Sequence, residues 1–278
     1  MTIDELLHMG RERLRYSPTA RLDADLLLEY VTALDRATLR AHGERQLPDT
    51  TIREYESVLT RRAAGEPVAY IVGRKAFWSL ELQVGPGVLI PRPETELLVE
   101  RALAHLPADQ PADVLDVGTG SGAIALAIAA ERPHAQVAAT DLSAEALRWA
   151  ETNARDLALR VQFLAGDLYE PVLGRRFDII VSNPPYVAPD DPNLAPDVRQ
   201  FEPAIALFAG DDGLTLLRRL IADAPQYLKP GGRLILEHGW RQGAAVRALL
   251  EERGFSHVRS HADLSGHERV TDAILTAV

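Results

Sequence analysis

Cysteine is absent from the 278 residues of this chain, which excludes a disulfide framework, a thiolate zinc site and a cysteine nucleophile. Long apolar runs are missing too. The longest, residues 123–130, falls far short of the roughly 20 residues that span a bilayer. The opening segment MTIDELLHMG carries acids where an export signal needs bases, so a cytoplasmic protein with no membrane partner is expected. Lysine is confined to Lys75 and Lys229, and 30 Lys+Arg face 40 Asp+Glu, a net charge of −10. Affinity for nucleic acid comes largely from neutralised phosphates, so no stable nucleic-acid binding is expected either.

What is present is the composition of a folded globular protein. Hydrophobic residues make up 46% and charged residues 25%, enough apolar material for one large core or two modest ones. Charge divides unevenly: residues 1–85 hold 13 acids and 12 bases, and the remainder 27 and 18. That division predicts two bodies.

The first body, residues 1–67, reads as a small helical bundle. Ile3, Leu6, Leu7 and Leu14 form one helical stripe, Leu22, Leu26 and Leu27 a second, and Ile52, Tyr55, Val58 and Leu59 a third. Pro18, Pro48 and Gly65-Glu66-Pro67 supply the breaks. Residues 68–90 change character, with VAYIVG and FWSLELQV before a Gly85-Pro86-Gly87 turn, which predicts a β-hairpin linker. From residue 91 to 278 helix and strand alternate. Strands are expected at 114–117, 136–140, 161–164, 177–182 and 233–237, with helices at 121–132, 144–157, 214–228 and 244–253 between or after them. A βαβ series of this kind makes a parallel sheet. The last two strands, 257–260 and 270–276, have only a loop between them and should pair antiparallel.

Two motifs carry chemistry. VLDVGTGSG, residues 114–122, places Gly118, Thr119, Gly120, Ser121 and Gly122 between a strand and a helix. Glycine there permits a sharp turn and close approach of a ligand to the backbone. The spacing is G-x-G-x-G rather than the G-x-G-x-x-G of dinucleotide folds, and Asp116 just upstream repels a pyrophosphate and suits an ammonium. S-adenosyl-L-methionine carries such an ammonium and no phosphate. Asp141, at the end of the next strand, can accept both ribose hydroxyls or serve as an acid at the following helix start. Asp167, after the third strand, can meet an adenine amino group or stand as a solvated loop acid, with Leu168 as an apolar wall beside it. Three strands ending in acids at the edge where open α/β sheets bind ligands place a cofactor pocket there.

The second motif is more specific. FDIIVSNPPYV, residues 177–187, presents Asn183, Pro184, Pro185 and Tyr186 at the end of an apolar strand. Prolines lack N–H donors and hold the preceding residue extended, so this segment offers acceptors. A planar NH₂ group can donate to the Asn183 side-chain oxygen and the Pro184 carbonyl while Tyr186 stacks on its face. The expected reaction is methyl transfer to an amide or amino nitrogen, with Asn183, Pro184 and Tyr186 as its catalytic residues and Asn183, Pro184, Pro185 and Tyr186 holding the substrate. Such a transfer draws on orientation and preorganisation and calls for no metal. The eight histidines show no metal-ligand spacing.

At this point the chain resembles the peptide-chain release factor glutamine methyltransferases. The likeness rests on EPVAYIVGRKAFW at 66–78, VLIPRPETELLVE at 88–100, DVGTGSGAIALAIA at 116–129, SNPPYV at 182–187, EPAIALFAGDDGL at 202–214 and SGHERV at 265–270. It implies an α/β fold: a class I S-adenosylmethionine-dependent methyltransferase domain with a Rossmann-like sheet of seven strands, six parallel and one antiparallel, preceded by a helical substrate-recognition domain. It implies as substrate the glutamine side-chain amide in the Gly-Gly-Gln loop of class I release factors, and S-adenosyl-L-homocysteine as product. Gly118, Thr119, Gly120, Ser121, Gly122, Asp141, Leu168 and Asn183 would contact the cofactor. Arg92, Pro93 and Thr95 lie in a PRPETE segment that resembles the release-factor version rather than the IPRSP type of the ribosomal-protein enzymes. Position 168 departs from the pattern, with Leu where relatives are expected to carry tryptophan beside the adenine. The alternatives are glutamine methylation of a ribosomal protein and adenine N6 methylation of nucleic acid, the latter requiring a flipped base.

Overall fold

A computed structural model describes residues 1–276. The chain divides into two compact units, one formed by residues 1–74 with 195–201 and the other by 75–194 with 202–278. The last two residues of the expected second body and of its larger unit lie outside the described residues.

The smaller unit is helical: α1 (Ile3–Arg13), α2 (Ala20–Thr32), α3 (Arg36–Ala41), α4 (Asp49–Ala63) and α5 (Val68–Val72). A capping box between Thr2 and Glu5 opens α1, satisfying two backbone donors that the first turn leaves unpaired. Ile3, Leu6, Leu27, Tyr55, Leu59 and Ile71 meet in its core, and the Tyr55 hydroxyl donates to the Ala24 carbonyl at 3.1 Å. Two expectations shift here. On α2 the buried face carries Ala24, Leu27 and Leu28, while Leu22 and Leu26 are exposed. Residues 68–72 are helical, not the first strand of the hairpin. Their β-branched composition favours a strand, but Val68, Ile71 and Val72 pack on the helical core, and Gly73 closes the turn in the left-handed region, φ +78°.

The hairpin, β1 (Arg74–Phe77) and β2 (Leu80–Gln83), starts at the last residue of the helical unit's first segment and otherwise belongs to the larger unit. Then come α6 (Glu96–Leu103), β3 (Asp113–Val117), α7 (Ala123–Glu131), β4 (Gln136–Asp141), α8 (Ala144–Asp156), β5 (Gln162–Ala165) and β6 (Phe177–Ser182). A short α9 (Pro196–Phe201) belongs to the helical unit. The chain continues through α10 (Thr215–Asp223), β7 (Leu228–Glu237), α11 (Gly243–Glu252), β8 (Phe255–Ala262) and β9 (Glu268–Leu275). Helix α10 stops short of the expected end at 228 because Pro225 falls in the following 3₁₀ turn.

Seven strands form one sheet in the order β5-β4-β3-β6-β7-β9-β8. Neighbours pair parallel except at β9, which runs antiparallel to both β7 and β8. Six parallel strands and one antiparallel is the arrangement expected. Alternation along β3 sends Val114 into a core with α6 and α7, and Leu115 and Val117 into a core with α10 and α11. Helix α7 is apolar nearly all round, with residues 123–128 buried. From β3 the chain runs outward to β4 and β5, then returns to β6 on the other side of β3. The crevice between the carboxyl ends of β3 and β6 is therefore a topological switch point, where open α/β sheets bind ligands.

Candidate active site

A cavity of about 410 Å³ opens at that switch point. Both sequence motifs reach it: Gly118, Thr119, Gly120 and Ser121 from the end of β3, and Asn183, Pro184 and Pro185 from the end of β6. A side chain joins the two strand ends, for the Ser182 hydroxyl donates to the Val117 carbonyl at 2.6 Å. The neighbouring strand fixes the glycine loop, since the Thr140 carbonyl accepts from the N–H groups of Gly118 (2.8 Å) and Thr119 (3.0 Å).

Gly118 and Gly120 take φ values of +75° and +59°, and a Cβ on Gly118 would meet nothing within 4 Å. Backbone conformation, not crowding by the protein, requires glycine there. Gly122 differs. It does not line the cavity, and a Cβ on it would press on Leu126 of α7 and Ala150 of α8 at 3.0 and 3.2 Å. Its φ of +84° favours glycine as theirs does, and close packing adds a second reason.

Asp116 does not reach the cavity. Its side chain is fully buried beneath the loop, where Oδ2 accepts from the Thr119 hydroxyl at 2.7 Å and from the Ala125 N–H at 3.2 Å. Burial pushes its carboxyl up to about 7, and Oδ1 has no partner among the described residues. The carboxylate braces the loop rather than meeting an ammonium. Asp141 does line the cavity, with Oδ2 accepting from Gly120 N–H and Oδ1 from Ser143 N–H, both at 2.8 Å. Burial raises its pKa against those hydrogen bonds. Asp167 lines the cavity and pairs with Arg219 of α10 at 2.5 Å. Leu168 lines it as well, with a left-handed backbone (φ +47°) and its carbonyl accepting from the Thr140 hydroxyl at 2.9 Å.

At the second motif Asn183 Nδ2 donates to the Thr95 hydroxyl at 3.1 Å, which leaves Oδ1 as the amide atom turned away from Thr95. Tyr186 is not among the residues lining the cavity. Its phenol donates to Glu237 Oε1 at the end of β7, 3.2 Å away, and burial holds its pKa far above the ordinary value. Arg92 Nη2 donates to Glu202 at 2.5 Å, and Glu202, buried, also accepts from Ile90 N–H at 3.1 Å. This pair ties the segment after the hairpin to the segment starting at residue 202. Both segments line the cavity, through Pro91, Arg92 and Thr95 on one side and Pro203, Ile205 and Ala206 on the other.

The roles of several of these residues escape motif reading: Ser182 and Glu202 fall inside recognised segments, Thr140 and Glu237 at strand ends, yet all act through partners far away in sequence. So does Asn153 of α8, whose amide bonds Ser121 O and both backbone groups of Gln83 at 2.7–3.0 Å. Among the described residues no group of three or more His, Asp or Glu is arranged to hold a metal ion.

Residues 5–73 match the PrmC N-terminal domain, and residues 94–201 the methyltransferase small domain. A crystallised methyltransferase from Pyrococcus furiosus superposes on 78% of this chain and 100% of its own, with a TM-score of 0.57 at 19% identity. Sheet order, glycine loop and switch-point cavity are those of a class I methyltransferase. A release factor glutamine methyltransferase from Xylella fastidiosa (strain 9a5c) is 52% identical over 252 residues, 90% of this chain and 92% of that protein. One from Salmonella typhimurium is 47% identical over 272 residues, 98% of each. The chain belongs to the release factor glutamine methyltransferase family.

Proposed function

We propose that this protein transfers a methyl group from S-adenosyl-L-methionine to the side-chain amide nitrogen of the glutamine in the Gly-Gly-Gln loop of class I peptide-chain release factors. The observation that carries the reading is Asn183 at the mouth of β6, lining the same cavity as the glycine loop, with its Nδ2 committed to Thr95. Its oxygen is then the acceptor offered to an incoming amide N–H.

The residues fit the cofactor. A cavity of about 410 Å³, glycines at positive φ with open space beside Gly118, the carboxylates Asp141 and Asp167, and the apolar Leu168 suit a ligand with a cationic end, a ribose and a flat ring. Gly118, Thr119, Gly120, Ser121, Asp141, Asp167, Leu168 and Asn183 would hold it. When bound it supplies a methyl group on a sulfonium, an electrophile that needs no further activation. Asn183 Oδ1 and the Pro184 carbonyl take the two amide hydrogens of the glutamine, fixing the plane of a nitrogen whose lone pair is otherwise delocalised. Pro185 shapes the wall, and Tyr186 braces the turn from behind through Glu237. The contribution of these groups is alignment of the nitrogen and exclusion of water.

The helical unit, residues 1–74 with 195–201, is read as the substrate-recognition domain and the larger unit as the methyltransferase domain; the expected boundary at 67 moves to 74 because Val68, Ile71 and Val72 pack on the helical core. The acidic balance supports a protein partner rather than stable nucleic-acid binding, and release factors as substrates place the reaction in the cytoplasm. No helix of the described residues is long and apolar enough to cross a membrane.

Tandem mass spectrometry of a purified class I release factor, incubated with this protein and S-adenosyl-L-methionine, tests the reading. One methyl group on the Gly-Gly-Gln glutamine, abolished by Asn183→Ala, is the expected result. An unmodified release factor refutes it.

A further inference from the structure

We propose that Gln242 is a positioning residue for the methyl acceptor: its side-chain amide pins the Tyr186 carbonyl and so holds the Asn-Pro-Pro-Tyr segment in register with the loop that walls the cavity. The inference rests on the function proposed above and goes beyond it, because Gln242 belongs to neither sequence motif and is not among the residues lining the cavity.

The need for such a residue follows from the sequence of the segment. Pro184 and Pro185 have no N–H, so two successive residues cannot donate a backbone hydrogen bond. That keeps carbonyl groups free for a substrate, but it also leaves the segment two donors short of what would anchor it. Side chains make up part of the difference. Asn183 is held by the Thr95 hydroxyl and the Tyr186 phenol by Glu237, yet neither bond touches the main chain. Gln242 does touch it, with Nε2 donating to the Tyr186 carbonyl at 3.1 Å. One residue further on, Val187 N–H donates to the Leu207 carbonyl at 2.9 Å, and the Val187 carbonyl accepts from Ala209 N–H at 3.1 Å.

The direction of the Gln242 amide is fixed by partners whose roles cannot reverse. Oε1 accepts from Gly239 N–H at 2.8 Å, and a backbone N–H only donates. Nε2 faces the carbonyls of Tyr186 and Asp212 at 3.1 and 3.4 Å, and a carbonyl only accepts. All three contacts require the same orientation. The side chain is therefore braced by the turn between β7 and α11 and reaches two segments, 56 and 30 residues earlier in the chain.

Gly213 completes the arrangement. Its φ is +70°, and a Cβ there would collide with the Tyr186 carbonyl oxygen and lie 2.8 Å from Gln242 Nε2. The loop backbone thus lies directly on the carbonyl that Gln242 holds. Gly210 and Thr215, on either side of this point, line the cavity, as do Asn183, Pro184 and Pro185. One carbonyl sets the wall and the acceptor segment against each other. The two prolines have fixed φ angles, so a shift at Tyr186 is carried back to the Pro184 carbonyl and Asn183 instead of being absorbed on the way. Those are the two acceptors that align the glutamine nitrogen, and a misplacement of that kind costs rate more than binding.

The test compares Gln242→Glu and Gln242→Met in the full-length protein. Glutamate keeps the shape and an oxygen for Gly239 but turns a carboxylate toward two carbonyls, whereas methionine keeps the length and loses both polar ends. Gln242 is half-buried at the start of α11, so neither change opens the core. Each variant is expected to lower kcat by about tenfold or more, the scale of one lost hydrogen bond. KM for release factor and affinity for S-adenosyl-L-methionine stay within about twofold of wild type, the pattern of an interaction that matters in the transition state. The Asn183 side-chain ¹H–¹⁵N signals, assigned by their loss in Asn183→Ala, shift in both variants. An unchanged kcat in either variant overturns the proposal, as does a lowered kcat with the Asn183 signals unmoved. Parallel losses of kcat, cofactor affinity and thermal stability would mark Gln242 as merely structural and overturn it too. A wild-type protein that leaves release factor unmethylated refutes the proposed function instead, and the Asn183 signals still decide whether Gln242 positions the segment.

Discussion

Asp116→Asn should make the larger unit more stable, and the gain should grow with pH. The wild-type carboxyl is fully buried under the glycine loop, with one oxygen satisfied by Thr119 and Ala125 and the other without a partner among the described residues. Burial raises its pKa from 3.8 to about 7. The folded pKa lies above the unfolded one, so folding takes up a proton between those values. The stability this group permits is complete below 3.8 and lost as pH rises through 7. Each pH unit in that window is worth about 1.4 kcal/mol, so ionising the buried acid costs roughly 4 kcal/mol above pH 7. Asparagine keeps an oxygen for both donors and never ionises. The stability difference between Asp116→Asn and wild type should therefore increase by roughly 2–3 kcal/mol between pH 5 and pH 8. Urea unfolding followed by tryptophan fluorescence measures it cleanly, because Trp78, Trp149 and Trp240, the three tryptophans, all lie in the larger unit. Glu237 contributes a similar slope to both proteins and cancels in the difference. A difference that stays constant from pH 5 to pH 8 would refute the argument that desolvation of Asp116 dominates its titration.

Other consequences are as direct. Asn183→Ala should leave the affinity for S-adenosyl-L-methionine, measured by calorimetry, largely intact while methyl transfer falls by orders of magnitude; equal losses would make Asn183 chiefly a cofactor ligand. Gly118→Ala should destabilise the larger unit by about 1–2 kcal/mol through its positive φ and weaken cofactor binding, whereas a neutral effect in urea unfolding would show that the loop relaxes freely. In the helical unit Gly10→Ala would drive its methyl into the Tyr55 hydroxyl. It should therefore lower the melting temperature despite alanine's helix advantage of about 1 kcal/mol, and Tyr55→Phe in the same chain should recover part of the loss. Additive effects of those two substitutions would rule out the collision.

Motif spacing and hydrophobic period were enough to read the βαβ series, the two segments that meet at the cavity and the antiparallel closing pair, because these are local properties of the chain. A glycine run after an apolar strand and a proline pair after another announce their backbone geometry without help from distant residues. The misread pieces are those where packing overruled local preference. Residues 68–72 have strand-like composition, yet the helical core takes Val68, Ile71 and Val72 on one face. Helix α2 could bury either of two leucine stripes, and the neighbouring helices chose Leu27 and Leu28 over Leu22 and Leu26.

The same division runs through the site. Residue type and order alone pointed to segments that line the cavity: Gly118 and Gly120 for their φ values, Asn183 and Pro184 for their acceptors, Asp141 at a strand end. Tertiary structure alone decided that Asp116 is a buried brace, that Gly122 packs helices and that Tyr186 turns its phenol to Glu237. It also decided that Thr95, 88 residues before Asn183, meets its amide. The physical reason is range. Backbone conformation follows from neighbours along the chain, but burial and the partner of a hydrogen bond depend on which distant segments arrive beside it.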